Sequence, residues 1–427
     1  GEAQRRRWTF YEVIKVTGTM SATFAIIIIL ATIILLIRLH VSLSIALLGS
    51  AALLGFLLGL SLPQIGISFI NGAIAEETLL LLAAVLLILF FSALMKETGN
   101  MSRAITALQN IFRDDRATVA IIPAVIGILP IVGGAMLSAP LVEEASDALK
   151  LSPERRTFLN YWFRHVWEYT LPTYPGVILS ATIMAVPVAK ISLTNLPLTL
   201  AAIAVGIFLG FRAVRPSSTE SGPLKPPHFI RSLASFLGNL SPFFFVLLLT
   251  LYFRIHLAYC LAVAAVGVAL YYRLSGSVLK RLAITSFSWE IVFLILGVMI
   301  FKEILMASGS MTSMAKEFTR IGLPPVIVII SLPFILGIIT GYSNAMVGIS
   351  LPILLPFFQA SGNGLAYLML AYGSGFCGSL LSPVHVCLIM TQEYFHADLN
   401  RIFRMLFLPV AIVFFTGVGT LLFYLWF

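Results

Sequence analysis

The chain has 427 residues, of which 59% are hydrophobic and only 11% charged, against about 25% charged in soluble globular proteins. So little polar surface excludes a soluble enzyme, and the net charge of +9 is spread singly through short loops rather than gathered into a nucleic-acid-binding patch. At about 20 residues per spanning helix the apolar runs amount to about ten membrane spans.

In chain order, residues 1–19 form an N-terminal segment. Spans are predicted near 20–37, 41–61 and 78–96, then at 163–187 and 193–212. A polar linker, 213–231, divides the chain. Further spans follow near 232–253, 255–273, 288–307, 364–390 and 404–427. The apolar stretches 117–149 and 323–360 are too long for one helix and too short for two spans with a loop. Each breaks at small residues, Gly133-Gly134-Ala135 in one and Gly341-Tyr342-Ser343-Asn344-Ala345 in the other. That pattern predicts re-entrant hairpins, whose irregular backbone survives at membrane depth only against protein or a water-lined cavity. Spans 163–187 and 364–390 carry Pro172 and Pro383, which remove backbone donors and predict broken helices.

The linker separates two similar halves, 20–212 and 232–427. Glu77, Gly99, Pro123, Gly127, Pro140 and Pro172 recur as Glu290, Gly309, Pro333, Gly337, Pro352 and Pro383, at offsets of 210 to 213. Each half holds five spans and a hairpin. Five is odd, so the second copy enters the membrane inverted. Inverted repeats with discontinuous helices are transporter architecture, with the site near the midplane. The fold class is therefore an all-α polytopic membrane protein of two inverted repeats, with about ten spans, two hairpins and proline-broken helices. Seventeen basic loop residues on one face against eight on the other make the first face cytoplasmic, although Arg5-Arg6-Arg7 lie on the opposite side. No His-Glu-x-x-His and no Cys/His run of zinc spacing occurs, and the three cysteines offer no disulfide framework.

Candidate site residues sit where helices break. Ser343 and Asn344 at the second tip could ligate a small cation, and the helix end there suits a carboxylate. Arg164 could hold an anion bidentately. His165, Glu168 and His385 could carry a coupling proton, with Arg164 and Glu168 at i,i+4 and His165 and Glu168 at i,i+3 just before the first break. Gly133, Gly134, Ser138, Thr173 and Ser382 complete the substrate-binding set. Lys302 and Glu303 are expected to snorkel.

This plan resembles the ion transporter superfamily, which includes divalent-anion/sodium symporters. In the dicarboxylate symporters both tips carry Ser-Asn-Thr; here Ser343-Asn344 resembles that motif, while the first tip has Gly133-Gly134-Ala135. Gly-Gly-Ala-Met-Leu-Ser-Ala-Pro and Asn-Tyr-Trp-Phe-Arg-His-Val-Trp-Glu-Tyr look most like an uncharacterised prokaryotic integral membrane family within it. The resemblance implies a secondary active transporter, not an enzyme, for a small anion such as an organic carboxylate. Na+ or H+ would drive it, with Na+ at Ser343 and Asn344 and no other metal or cofactor. It implies an elevator motion in a homodimer, with membrane lipid around it, in the plasma (inner) membrane of a prokaryote. The competing readings are a cation/proton antiporter, a lipid-phosphate flippase and an intramembrane enzyme.

Overall fold

A computed structural model describes residues 21–112, 114–130, 134–212, 214, 226–310, 317 and 324–426. The N-terminal segment, most of the linker and Gly133 lie outside them. Among the described residues the chain is all helix, an integral polytopic membrane protein with five helices long and apolar enough to cross a bilayer. Two compact units gather these helices.

The first unit comprises residues 1–79, 289–328 and 352–362. Here α1 (Ala22–Arg38), α2 (Leu43–Leu57) and α3 (Leu62–Ile74) pack with α14 (Trp289–Ala307). Buried Ile29, Ile33, Leu47, Leu54, Val298 and Phe301 fill the core. A Cβ at Gly72 would stand 2.9 Å from the Ile300 Cα, so glycine sets how closely α3 and α14 approach. Ser21 caps α1, and the Glu317 carboxylate accepts from the Ser21 hydroxyl at 2.8 Å and the Thr23 amide at 3.0 Å. Lys302 does not snorkel. It is 6% exposed and its ammonium lies 2.8 Å from Glu77, because an acid on another helix, α4 (Glu76–Glu97), satisfies it more directly than distant water.

The second unit comprises residues 80–288, 329–351 and 363–427. Glu76–Glu97 (α4) leads into the amphipathic α5 (Asn100–Ile111). The predicted first hairpin is α6 (Asp115–Ile126) and α7 (Gly134–Ala148). The first broken span is α8 (Pro153–His165) and α9 (Pro175–Ile183). It begins about ten residues before the expected start at 163, because Thr157, Asn160 and Arg164 lower its hydropathy yet are buried by protein. Next come α10 (Val188–Gly210), α11 (Pro226–Leu247), a π-turn at Leu248–Tyr252, α12 (Leu257–Tyr271) and α13 (Gly276–Ser286). The second hairpin is α15 (Pro325–Thr340) and α16 (Ser343–Ala360), broken at Gly341 with φ +60°. Then α17 (Gly364–Leu380) and α18 (Val386–Phe395) form the second broken span, and α19 (Leu399–Trp426) ends the chain.

Helices α3 and α13 fall where loops were expected. Their local signals are the Ser61 and Gln64 capping box and the Ser275 cap. Landmarks of the two halves share backbone conformation. Gly99 and Gly309 both take left-handed φ, +73° and +65°, at the end of the third span of each half.

Candidate functional site

The first break starts where α8 runs out at His165. Residues 166–174 are irregular, and Pro175 opens α9, its fixed φ and missing N–H suiting a first turn. Arg164 and His165 therefore stand at the edge of the break and Glu168 inside it, rather than all three in one helix before it. All are nonetheless nearly inaccessible, at 3%, 2% and 8% exposure. They do meet as their spacing predicts: the Glu168 Oε1 lies 3.6 Å from an Arg164 nitrogen and 3.7 Å from the His165 Nε2.

The first hairpin grips Arg164 from two sides. A Cβ at Gly134, the first residue of α7, would stand 2.7 Å from the Arg164 Nε. One at Gly127, at the end of α6, would stand 2.4 Å from the Arg164 carbonyl oxygen. The guanidinium also donates to the Tyr174 hydroxyl at 2.7 Å, and that hydroxyl donates to the Gly127 carbonyl. The charge is thus fixed against the N-terminal end of α7, with Tyr174 tying it back to α6.

The second break supplies the opposite wall. His385 caps the start of α18, and its Nε2 lies 3.3 Å from that of His165. The Tyr161 hydroxyl donates to the Leu380 carbonyl at 3.2 Å, and the Tyr372 hydroxyl to the Glu168 carbonyl at 2.7 Å. Each tyrosine thus satisfies a carbonyl freed by the other half's break. Tyr161 and Tyr372 are 211 positions apart, which sequence reading missed although the repeat offset pointed to the pair.

The second hairpin tip closes onto the same place. A Cβ at Gly341 would stand 2.9 Å from both the Ser382 Oγ and the His385 amide nitrogen. Ser382 in turn donates to the Ile338 carbonyl at 2.6 Å and accepts from the Val384 amide at 3.3 Å. The Ser343 side chain approaches the Glu168 carboxylate. Asn344 donates to the Tyr342 hydroxyl at 2.9 Å, and its oxygen lies 3.5 Å from a Cβ placed at Gly176, in the first turn of α9. Thr173 is fully buried, with no hydrogen-bond partner for its hydroxyl among the described residues. Ser138 is also buried but turns back onto its own helix, donating to the Ala135 carbonyl at 3.1 Å. Asn160, not anticipated from the sequence, donates to that same carbonyl at 2.8 Å.

So Gly134, Arg164, His165, Glu168, Ser343, Asn344, Ser382 and His385 gather around two helix breaks. The first turns of α7, α9, α16 and α18 all open there. Each carries N–H groups without intrahelical partners and the positive end of a helix dipole.

Among solved structures, the chain is similar to the Alcanivorax borkumensis YdaH transporter, with a TM-score of 0.43 and 13% identity over 84% of this chain and 87% of that one. No curated protein matches it. A family model described as "Protein of unknown function (DUF401)" matches residues 19–424, nearly the whole length, and the chain belongs to that family.

Proposed function

We propose that the protein is a secondary active transporter of a small anion, an organic carboxylate for preference, coupled to Na+ or H+. The observation that carries this reading is the convergence of four helix N-termini on a buried, held arginine. A cluster of positive helix ends with one guanidinium suits a carboxylate, which accepts from free backbone N–H groups and from Arg164 together. Ser343, Asn344 and Thr173 offer oxygens to substrate or to a small cation. The reciprocal tyrosine bonds support the inverted-repeat reading, because two copies related by a two-fold axis make such contacts in pairs. An elevator motion in a homodimer, within the inner membrane of a prokaryote, remains the working scheme from the superfamily resemblance.

A second reading draws on one specific feature. Cation/proton exchange needs a titrating acid inside the membrane, and Glu168 lies buried beside His165.

Counterflow in proteoliposomes, run with a panel of carboxylates under separate Na+ and H+ gradients, tests the proposal. Asn344→Ala should abolish carboxylate counterflow while melting near the wild-type temperature. Loss of one hydrogen bond to a charged group costs about 1.5–3 kcal/mol, or about 10- to 150-fold in affinity. Unchanged affinity in Asn344→Ala would remove the second tip from the site. Cation flux with no carboxylate dependence would favour the exchanger.

A further inference from the structure

The ring nitrogens of His165 and His385 pose a problem of proton placement. The His165 Nδ1 lies 2.6 Å from the Tyr161 carbonyl oxygen, and the His385 Nδ1 lies 3.1 Å from the Ser379 carbonyl oxygen. A carbonyl oxygen only accepts, so each Nδ1 carries the proton and donates it. In a neutral imidazole the other nitrogen then holds a bare lone pair. Both Nε2 atoms are in that state, and they face one another at 3.3 Å in a buried place. Two lone pairs so aimed repel unless an electrophile lies between them.

The spacing and the neighbours say which electrophile. Two nitrogens each about 2.0–2.1 Å from one tetrahedral ion stand about 3.3 Å apart. The Cys387 Sγ completes a set of three ligand atoms that all lie within 4.8 Å of one another. The Glu168 Oε1 is 3.7 Å from the His165 Nε2 but outside that set of three, so a turn of its side chain, or a water, supplies the fourth ligand. Both Nδ1–H groups already donate to backbone carbonyls, the outer-shell arrangement that orients metal-bound histidines and raises their basicity. Arg164 opposes a cation here, but a Cys387 thiolate and the Glu168 carboxylate bring two negative charges against its one.

We propose that His165, His385 and Cys387, with Glu168 beside them, form a tetrahedral site for a divalent transition-metal cation of the Zn2+ class. Binding deprotonates the Cys387 thiol and releases that proton to solvent. His165 comes from the first break, His385 and Cys387 from the second. A bound ion therefore joins the two breaks and holds them together, whatever the protein carries. No sequence spacing could reveal the site, because its ligands come from opposite halves of the chain.

Co2+ added to the purified full-length protein in lipid nanodiscs tests this. One ion per chain should bind, with the visible bands of a tetrahedral ion and a near-ultraviolet thiolate-to-cobalt band, both displaced by Zn2+. Zn2+ should also raise the melting temperature. Cys387→Ser, at a half-buried position, should remove the near-ultraviolet band and weaken Zn2+ binding by more than about 100-fold, beyond the cost of losing an outer-shell partner. Cys260→Ser, buried in α12, should leave both unchanged. An octahedral spectrum, or one indifferent to Cys387→Ser, overturns the proposal. So do 15N signals of the two rings that respond to acid but not to Zn2+, which would assign the gap to a shared proton.

Discussion

Arg164 is the residue on which the candidate site is built, and Tyr174 decides how firmly it is held. Its hydroxyl accepts from the guanidinium and donates to Gly127, so it joins α6, α8 and α9 through one oxygen. Tyr174→Phe keeps the ring and deletes both bonds. It should destabilise the protein by about 1.5–3 kcal/mol and weaken substrate binding, because the arginine loses its fixed pose. Melting curves and substrate titration on one purified sample check both effects; an unaltered melting temperature would show that Tyr174 holds nothing. Arg164, Glu168, Ser343 and Asn344 were legible in the sequence because charge, or Ser-Asn beside a glycine, is conspicuous inside an apolar run. Tyr174, Tyr161 and Asn160 were not, since a tyrosine or asparagine in a membrane segment is unremarkable until its hydrogen-bond partner is known. Cys387 was not legible either, since a single cysteine in an apolar run offers no ligand spacing to read.

At the scale of helices, glycine sets how closely the hairpins approach the broken spans. A Cβ at Gly337 in α15 would lie 2.1 Å from the Gly375 carbonyl oxygen, and one at Gly378 in α17 would lie 2.2 Å from that of Phe334. The atoms in the way are backbone, so no rotamer relieves the clash. Gly337→Ala should cost at least about 1–3 kcal/mol, the price of overpacking a tight contact. Gly238→Ala in α11, where nothing lies within 4 Å, should be neutral or stabilising by up to about 1 kcal/mol. Equal melting temperatures for the two variants would refute this account of the crossing. A second element-scale effect depends on pH. Burial raises the Glu317 carboxyl, but hydrogen bonds from Thr23 and Ser21 outweigh it and hold the group below its ordinary 4.5. A depressed carboxyl stabilises the folded state above 4.5 and loses that contribution as pH falls below it. Acidification through that range should loosen the α1 N-terminus, read as faster amide exchange there, and Glu317→Gln should show no such step. The helices themselves were legible wherever lipid covers them, since hydropathy then tracks burial. The start of α8 was not, because protein covers its polar face and the hydropathy of the segment understates its depth.

Across the whole molecule, the sidedness of the loops is the property to test. The orientation expected from the charge asymmetry would put α5 on the cytoplasmic side and the turn after α11 outside. On a cysteine-free background, Thr106→Cys should react with an impermeant maleimide only from the cytoplasm and Arg254→Cys only from outside; both positions are exposed. Reaction of both from one side would sink the inverted topology. The two compact units do not coincide with the two sequence halves. The first unit takes α1–α3 from one half and α14 from the other, and the second likewise mixes them. The paired tyrosine bonds carry the same lesson to atomic detail: Tyr161 closes a carbonyl of the second half and Tyr372 one of the first. Neither half forms a compact unit by itself. A chain of half this length could satisfy its own break only by lending its tyrosine to a twin and borrowing the twin's in return. Fusion of such twins into one polypeptide would leave each copy free to drift in sequence while still bound to that exchange, and at the 211-residue offset Arg164 and Glu168 indeed answer to Gly375 and Ser379, and Tyr174 to His385.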